Sequence, residues 1–386
     1  MADDMTARRA FIYSNRFGDY SYGTEHPFKV LRYRLAYDLI RELGLLDGET
    51  NLLVESPSAS EEALSSFHRR DYLETLREFS RGDGSRANFF YGLGDVENPV
   101  FHGLYDWASL VCGGTMEAVR QVVDGGCRAA FNMAGGWHHA HAARASGFSY
   151  LNDAVVAIQG AVGRGLRVAY VDIDAHHGDG VQNAFYDSDR VLTISLHETG
   201  DDFFPQTGYP QEMGRGKGYG YAVNVPFCAH SDDLIFEQAF KRVVRPLLSA
   251  FHPDLLVTQM GVDGLRTDPL ARLEFTTGAL EFAARSFLDT GIPWVALGGG
   301  GYDKINVARG WTLVWGVMNG MEVPGRFPPG FAATLAEFGA DSVLLRDLPR
   351  LAHPDDFSRA QAFLERNLAI LERRLFPLHG LSPGAS

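Results

Sequence analysis

The stretch RVAYVDIDAHHGDG, residues 167 to 180, decides the fold predicted for this chain. Its first half is mostly apolar, as in a buried strand, and side chains of the kinds that bind metals follow directly. Asp172, Asp174 and His176 stand at every second position, so an extended chain places them on one side. Because ligands bind beyond the carboxyl ends of strands in open α/β sheets, this strand end is the first candidate site.

Short apolar runs on either side of this stretch predict further strands, and several of the segments between them carry helix signals. Ser58 with Glu61, and Asp71 with Glu74, have the spacing of capping boxes at helix starts. The alternation predicts an α/β fold of three layers, with helices on both faces of a central, mainly parallel sheet of about eight strands. The predicted strands are residues 10–13, 51–54, 129–132, 167–173, 190–196, 221–225, 254–260 and 293–297.

The composition is that of a globular protein, since 45% of the 386 residues are hydrophobic and 22% are charged. It excludes disorder, collagen and coiled coil as descriptions of the whole chain. No linker divides the first 320 residues, so we predict a single domain over residues 1–386. Its core is expected at about 10–320, with a C-terminal extension at about 321–386 packed on that core and a helix near 357–375.

Charge and cysteine content narrow the classes of partner. Thirty-five basic and forty-eight acidic residues give a formal charge of −13, which argues against binding to nucleic acid or to an anionic membrane surface. Cys112, Cys127 and Cys228 form no CxxC pair, so neither a disulfide framework nor a thiolate zinc site is predicted. No apolar run approaches the roughly 18 residues of a membrane span. A cytoplasmic location is expected.

A second strand end adds a carboxylate to the first candidate site. The predicted strand 254–260 is followed by Asp263, which with Asp174 and His176 makes an Asp2His set for one divalent ion, with positions left for water and substrate. Leu265 is apolar, so a second metal site lacks its ligand. Zinc is the first candidate and ferrous iron the second. The alternative is a set of solvated strand-end residues, but carboxylates buried together without a cation would have strongly raised pKa values.

Two further strand ends supply groups for acid–base and oxyanion chemistry. The run CRAAFN leads to His138 and His139, and the acids that remain to orient them are Asp172 and Asp179. By themselves, paired histidines are more often packed or exposed than catalytic. The four glycines at 298–301 lack the spacing of a phosphate-binding loop, and they allow a close-approaching backbone that presents the hydroxyl of Tyr302 to an oxyanion.

Several long motifs occur in an order that resembles one family. The chain is similar to zinc-dependent deacetylases of the histone deacetylase superfamily, which have the arginase/deacetylase fold. Among them it most resembles the bacterial acetoin-utilisation deacetylases, which stand close to the class I histone deacetylases. The motifs, from near residue 25 to near residue 315, are EHPFKVLRYRL, GGWHHA, SGFSYLNDAVVAI, VDIDAHHGDGVQNAFY, GKGYGYAVNVP and LGGGGYDKINVARGWTLVW.

The resemblance implies a role for each matching residue. It implies zinc at Asp174, His176 and Asp263, the histidine pair His138 and His139 oriented by Asp172 and Asp179, and Tyr302 polarising the scissile carbonyl. It also implies an inner structural potassium ion at Asp172, Asp174, His176, Ser195 and Leu196, and an outer one at Phe185, Ser188, Val191 and Tyr221. The tunnel for an acyl-lysine stem would be lined by Gly147, Phe148, Phe204 and Leu270, and an inner channel by Arg32. Glu97 stands where the family commonly has an aspartate that grips the substrate backbone.

These features lead to three functional hypotheses. The first is hydrolysis of the amide of N-acetyl-lysine in proteins or peptides by a metal-activated water, with His139 as general base and then general acid and with His138 tuning the field. The second keeps the chemistry but takes a small acylated amine such as an acetylpolyamine, which the negative charge would also attract. The third is a non-catalytic binder of acyl groups. The oligomeric state is left open.

Overall fold

An eight-stranded sheet lies at the centre of the computed structural model, which describes residues 7–82, 84–337, 344–350 and 352–382. The strands are β1 (Arg8–Tyr13), β2 (Asn51–Glu55), β3 (Cys127–Asn132), β4 (Val168–Asp172), β5 (Val191–Glu198), β6 (Ala222–Phe227), β7 (Leu255–Gln259) and β8 (Trp294–Leu297). Their order across the sheet is β2-β1-β3-β8-β7-β4-β5-β6. Each of the pairings between these strands is parallel.

The predicted α/β sheet is confirmed, and each of the eight predicted runs overlaps one strand. The pattern of β1 shows why helices cover both faces of the sheet. Phe11 and Tyr13 belong to one buried cluster, whereas Ala10 and Ile12 belong to another. A sheet buried on both faces favours strands that are apolar throughout, as β4 and β7 largely are, rather than alternating ones.

Helices form the two outer layers. They are α1 (Leu31–Glu42), α2 (Glu61–Leu64), α3 (Arg70–Ser80), α4 (Leu104–Val123), α5 (Asp153–Gly163), α6 (Asp179–Ala184), α7 (Asp233–Ala239), α8 (Arg245–Phe251), α9 (Thr277–Asp289), α10 (Lys304–Asn319), α11 (Pro329–Glu337) and α12 (Pro354–Arg374). The apolar side of α5 joins the cluster of Ala10 and Ile12, and α1, α9 and α10 cover the opposite face. None of the described helices is long and apolar enough to cross a membrane.

Both predicted capping boxes are wrong in detail. Ser60 caps α2, because its hydroxyl accepts the Ala63 N–H at 3.2 Å. The segment that holds Ser58 instead docks on α4, where the Ala59 N–H donates to the Ser109 carbonyl. Asp71 lies inside the first turn of α3 and does not cap it. Tertiary contact therefore shifted one helix start by two residues.

The C-terminal part of the chain lies against the far edge of the sheet. Helix α12 packs on β6 and α7, and it contains most of the predicted helix at 357–375. Helix α11 also lies within the predicted C-terminal extension at about 321–386. The division into a core and a C-terminal extension of one domain stays a prediction.

The sheet order gathers the candidate residues at one place. Strands β3, β8, β7 and β4 are consecutive neighbours, so their carboxyl ends meet at the same edge. The four loops that follow them span residues 133–152, 298–303, 260–276 and 173–178. The predicted zinc ligands, the histidine pair and Tyr302 all lie on these loops.

One buried histidine ties the longest of these loops to the helical layer. The Nε2 atom of His68 accepts the Asn152 N–H at 3.0 Å. Asn152 in turn caps α5 through the Val155 N–H and donates its side-chain amide to the Ala140 carbonyl. Burial lowers the pKa of His68 to about 3.

This burial makes the stability of the protein sensitive to acid. Between about pH 6 and pH 3 the unfolded chain binds a proton at His68 that the folded chain does not, so stability falls by about 1.4 kcal/mol per pH unit from this group. We expect His68→Gln, which keeps an acceptor for Asn152, to flatten that dependence. Chemical unfolding of both proteins at pH 7, 6, 5 and 4 measures it. If the free energy of unfolding fell equally with pH in both proteins, His68 would not be the acid-sensitive group.

Candidate metal-dependent active site

Three side chains from two loops meet at the carboxyl edge of the sheet. The Nδ1 atom of His176 lies 2.9 Å from Oδ2 of Asp263 and 3.2 Å from Oδ1 of Asp174. One ligand atom from each residue lies within 4.8 Å of the others, and all three residues are buried. The structure thus brings together the full predicted Asp2His set.

The electrostatics of this cluster fit a divalent cation. Burial raises the pKa of Asp263 to about 7, and the charge on Asp174 adds to this effect. Burial opposes a proton on His176, but hydrogen bonds to Asp174 and Asp263 outweigh it and raise the pKa to about 10. Two buried carboxylates therefore compete for a positive charge, which a cation would supply to both.

The backbone and a glutamine hold the carboxylates from behind. Oδ2 of Asp174 accepts the side-chain amide of Gln259 at 2.5 Å and the Gly300 N–H at 2.7 Å. Oδ1 of Asp263 accepts the Ala175 N–H at 2.8 Å. A Cβ atom at Gly300 would lie 2.2 Å from Asp263, so only glycine allows this approach. The sequence analysis missed Gln259, whose position at the end of β7 was the available signal.

The two adjacent histidines each have their own carboxylate. Nδ1 of His138 lies 2.7 Å from Oδ2 of Asp172, and Nδ1 of His139 lies 2.8 Å from Oδ1 of Asp179. The two imidazole rings are 4.0 Å apart. The structure therefore brings both predicted pairs together, and each fixes the orientation of one ring.

The two imidazoles have opposite proton affinities. Burial opposes the charge of His138, but the carboxylates of Asp172 and Asp174 outweigh it and raise the pKa to about 9. Burial and the charge on His138 lower the pKa of His139 to about 3. A cation held by Asp174 would itself disfavour a proton on His138. His139 is the neutral member of the pair, which leaves it free to accept a proton.

A buried aspartate that the sequence analysis missed shapes the histidine loop. Asp153, at the start of α5, accepts the N–H groups of Gly136 and Trp137 and the hydroxyl of Thr115. These contacts set the backbone directly before His138. An acidic residue in the first turn of a mostly apolar helix was the signal for it.

Tyr302 faces the cluster from the glycine loop. Its ring centre lies 6.3 Å from that of His176 and 5.6 Å from that of Phe148. Its backbone N–H donates to Asp268 at 2.7 Å, and Asp268 is a second buried acid that the sequence analysis missed. Burial, with the charges of Asp263 and Asp174, raises the pKa of the Tyr302 phenol well above its usual value. The hydroxyl therefore keeps its proton and can donate it in a hydrogen bond.

A narrow cavity of about 30 Å³ runs between these groups. Two of its lining residues, Gly147 and Phe148, are predicted tunnel residues, and Arg32 is the predicted channel residue. Phe148 has a φ of 65°, a left-handed conformation that is strained for a bulky residue. The Tyr22 hydroxyl holds this backbone by donating to the Phe148 carbonyl at 2.8 Å.

The other predicted tunnel residues lie outside the lining of this cavity. Phe204 is 39% exposed, and its ring lies 4.9 Å from that of His139, so it stands at the rim. Leu270 is half-buried in the loop after Asp268. The carboxylate of Glu97 accepts the Gly147 N–H. Glu97 is thus engaged with the tunnel wall itself.

The predicted potassium residues lie beside the site on neighbouring strands. Asp172 pairs with Ser195 across β4 and β5, and the Ser195 hydroxyl lies 2.8 Å from Nδ1 of His197. In the outer set, the Ser188 N–H donates to the Phe185 carbonyl. The Tyr221 carbonyl accepts the Thr193 N–H from β5. Both potassium sites stay predictions.

A buried Asp2His cluster with two oriented histidines and a phenol defines a metal-dependent amidohydrolase of the deacetylase type. Comparison with known proteins agrees, since the family model for the histone deacetylase domain matches residues 26–318. The chain belongs to the histone deacetylase family.

Relatives of this chain occur in bacteria and eukaryotes. It is 40% identical over 327 residues to the acetoin utilization protein AcuC of Bacillus subtilis, covering 83% of this chain and 84% of that one. It is 37% identical over 324 residues to the histone deacetylase RPD3 of Saccharomyces cerevisiae, covering 83% of this chain and 74% of that one.

The fold is similar to that of solved structures. A solved histone deacetylase homologue in complex with SAHA superposes with a TM-score of 0.85 at 33% identity, covering 93% of this chain and 99% of its own. A homologue from Aquifex aeolicus gives 0.83 at 32%, with the same coverage. The predicted arginase/deacetylase fold is confirmed.

The support of Asp174 by Gln259 leads to a test of metal binding. We expect Gln259→Met to weaken binding of Zn²⁺ by about 10–100-fold, because the carboxylate loses the donor that orients it. Titration of Zn²⁺ against a competing chelator measures the affinity.

Two variants calibrate this measurement. Asp263→Asn removes a ligand and should bind less metal than Gln259→Met. His230→Gln, which changes a half-exposed surface histidine, should bind like the wild type. Unchanged affinity in Gln259→Met would contradict the orienting role.

Proposed function

We propose that this chain is a zinc-dependent deacetylase that hydrolyses the amide of N-acetyl-lysine in proteins or peptides. The observation that carries the proposal is one small cavity lined by Asp174 of the buried Asp2His cluster, by the two carboxylate-oriented histidines and by Tyr302. A mixed set of carboxylate and imidazole ligands favours zinc first and ferrous iron second.

A divalent cation held by Asp174, His176 and Asp263 would supply a Lewis acid that polarises a carbonyl and lowers the pKa of water. His139 is placed to take the proton from the attacking water, since burial keeps it neutral and Asp179 orients it. The same imidazole then passes that proton to the departing amine. His138, next to it, orients the water and tunes the local field through Asp172.

Tyr302 is the proposed oxyanion donor. Its phenol stays protonated, and Asp268 and the neighbouring loop fix its backbone. The hydroxyl can therefore donate to the carbonyl oxygen as negative charge develops there, an interaction that strengthens in the transition state.

Loss of this donor should slow the reaction. We expect Tyr302→Phe to lower kcat by about 100–1,000-fold, the usual effect of one oxyanion donor. Steady-state release of acetate from an acetyl-lysine peptide by the zinc-loaded enzyme measures the effect. Tyr219→Phe, at an exposed tyrosine, is the matched control and should turn over normally. Normal turnover in Tyr302→Phe would rule out the proposed role.

One contact favours the second candidate, a small acylated amine such as an acetylpolyamine. In the family, an aspartate commonly grips the substrate backbone at the position of Glu97, but here the carboxylate is bound to the Gly147 N–H. A substrate without a peptide backbone would not need that grip. The net charge of −13 also attracts cationic polyamines.

The two substrate classes can be separated directly. If proteins are the substrates, kcat/KM should be higher for an acetyl-lysine peptide than for acetylputrescine by tenfold or more. The reverse ranking would establish the small-amine hydrolase. No turnover of either substrate above a metal-stripped control would favour the non-catalytic binder.

We further propose a cytoplasmic location and, on the family resemblance, structural potassium ions at the two predicted sets.

A further inference from the structure

One arginine joins two loops at the mouth of the active site. Glu198, at the end of β5, has a fully buried carboxylate that accepts the Arg272 backbone N–H at 2.8 Å and its Nε–H at 2.5 Å. The same guanidinium donates from Nη1 and Nη2 to the two carboxylate oxygens of Asp202 at 2.9 and 2.8 Å. We call Glu198, Asp202 and Arg272 the arginine clamp.

The clamp acts on the aromatic residues beside the metal cluster. Asp202 directly precedes Phe203, whose ring stacks on the His176 imidazole with centres 4.6 Å apart and planes 18° from parallel. The guanidinium of Arg272 lies 5.6 Å from the centre of the Phe203 ring. Phe204 follows and packs edge-on against His139. The clamp therefore holds the two-phenylalanine wall, Phe203 and Phe204, against a metal ligand and a histidine of the pair.

The clamp also joins the two-phenylalanine wall to the loop between β7 and α9, residues 260–276. Arg272 lies two residues after Leu270, the tunnel residue predicted on the other loop. The loop that follows β5 and carries this wall is also fixed on either side of Asp202. The Thr199 N–H donates to the Phe227 carbonyl, and the Thr207 hydroxyl bonds to His177. Asp202 is the point between them at which the clamp fastens the loop.

The geometry makes this contact stronger than an ordinary surface ion pair. Exposed ion pairs contribute little to stability, because water screens them and two long side chains lose freedom. Here the Glu198 carboxylate is fully buried, and the planar guanidinium of Arg272 binds the Asp202 carboxylate with two parallel hydrogen bonds. The position of Arg272 is therefore set by the core, and that of Asp202 by Arg272.

We propose that Arg272, acting through Asp202, is a positioning residue that restricts the mouth to substrates with a slim alkyl stem. The inference rests on the proposed function, because it takes the cavity beside Phe204 as the path of the acylated amine. With the clamp intact, the two-phenylalanine wall stays against His176 and His139. Without it, the wall moves away, slim stems are held less well and wider stems are admitted.

The variant that tests this is Asp202→Ala, because Asp202 is mostly exposed and the buried pair of Glu198 and Arg272 stays intact. Two substrates share a side-chain acetamide and a blocked amino-acid backbone: Nε-acetyl-lysine and 4-(acetamidomethyl)phenylalanine, in which an aromatic ring replaces methylenes. We expect about a tenfold higher KM for the lysine substrate with kcat within about threefold. The ratio of kcat/KM for wide over slim substrate should rise about tenfold. Asp201→Ala, which removes the neighbouring carboxylate, should behave like the wild type.

A second measurement does not depend on turnover. In the zinc-loaded protein, we expect Asp202→Ala to speed hydrogen exchange at the amides of residues 202–206 by tenfold or more, with no change in the central strands. Faster exchange confined to this loop supports the clamp even if neither amide is hydrolysed, in which case the proposed function fails alone. Unchanged exchange, or an equal loss of kcat/KM for both substrates, overturns the clamp proposal.

Discussion

The structure depends on two carboxylates, Asp174 and Asp263, that are buried side by side at the end of a parallel sheet. Buried like charges this close together are unfavourable unless a cation or protons balance them. The loops around the pair supply the balance that the protein itself can provide: the imidazole of His176, the N–H groups of Gly300 and Ala175, and the amide of Gln259. A divalent ion held by Asp174, His176 and Asp263 would complete it.

The remaining acids at this edge each have separate hydrogen-bond partners in the protein. Asp172 and Asp179 each orient one histidine. Asp153 and Asp268 accept only hydroxyl and backbone N–H groups and so set the loops that carry His138 and Tyr302. Such supporting contacts decide how accurately catalytic groups are held.

At the rim, too, carboxylates form hydrogen bonds that hold other residues in place. Glu97 supports the wall at Gly147, and the arginine clamp supports the wall at Phe203 and Phe204. The carboxylates of Glu97, Glu198 and Asp202 are all bound to protein groups, so they offer less to a substrate backbone than free acids would. The contacts that support the mouth are thus separate from those that support the metal cluster, and we propose that the former set substrate choice.

Local patterns in the sequence determined the eight strands, the α/β class and the residues at the strand ends. They could do so because a buried parallel sheet requires apolar runs and places its polar ligands at one edge. The order of the strands, and therefore the meeting of Asp174 with Asp263, was decided by packing of the helical layers. Tertiary structure also decided the supporting contacts: Gln259 lies 85 residues from Asp174 in the chain, and Arg272 lies 74 residues from Glu198. A hydrogen bond between such distant residues leaves no periodic signal, because it depends on which loops the sheet order brings together. For the same reason Ser60, and not Ser58, begins α2: the docking of residue 59 on α4 outweighed the local capping pattern.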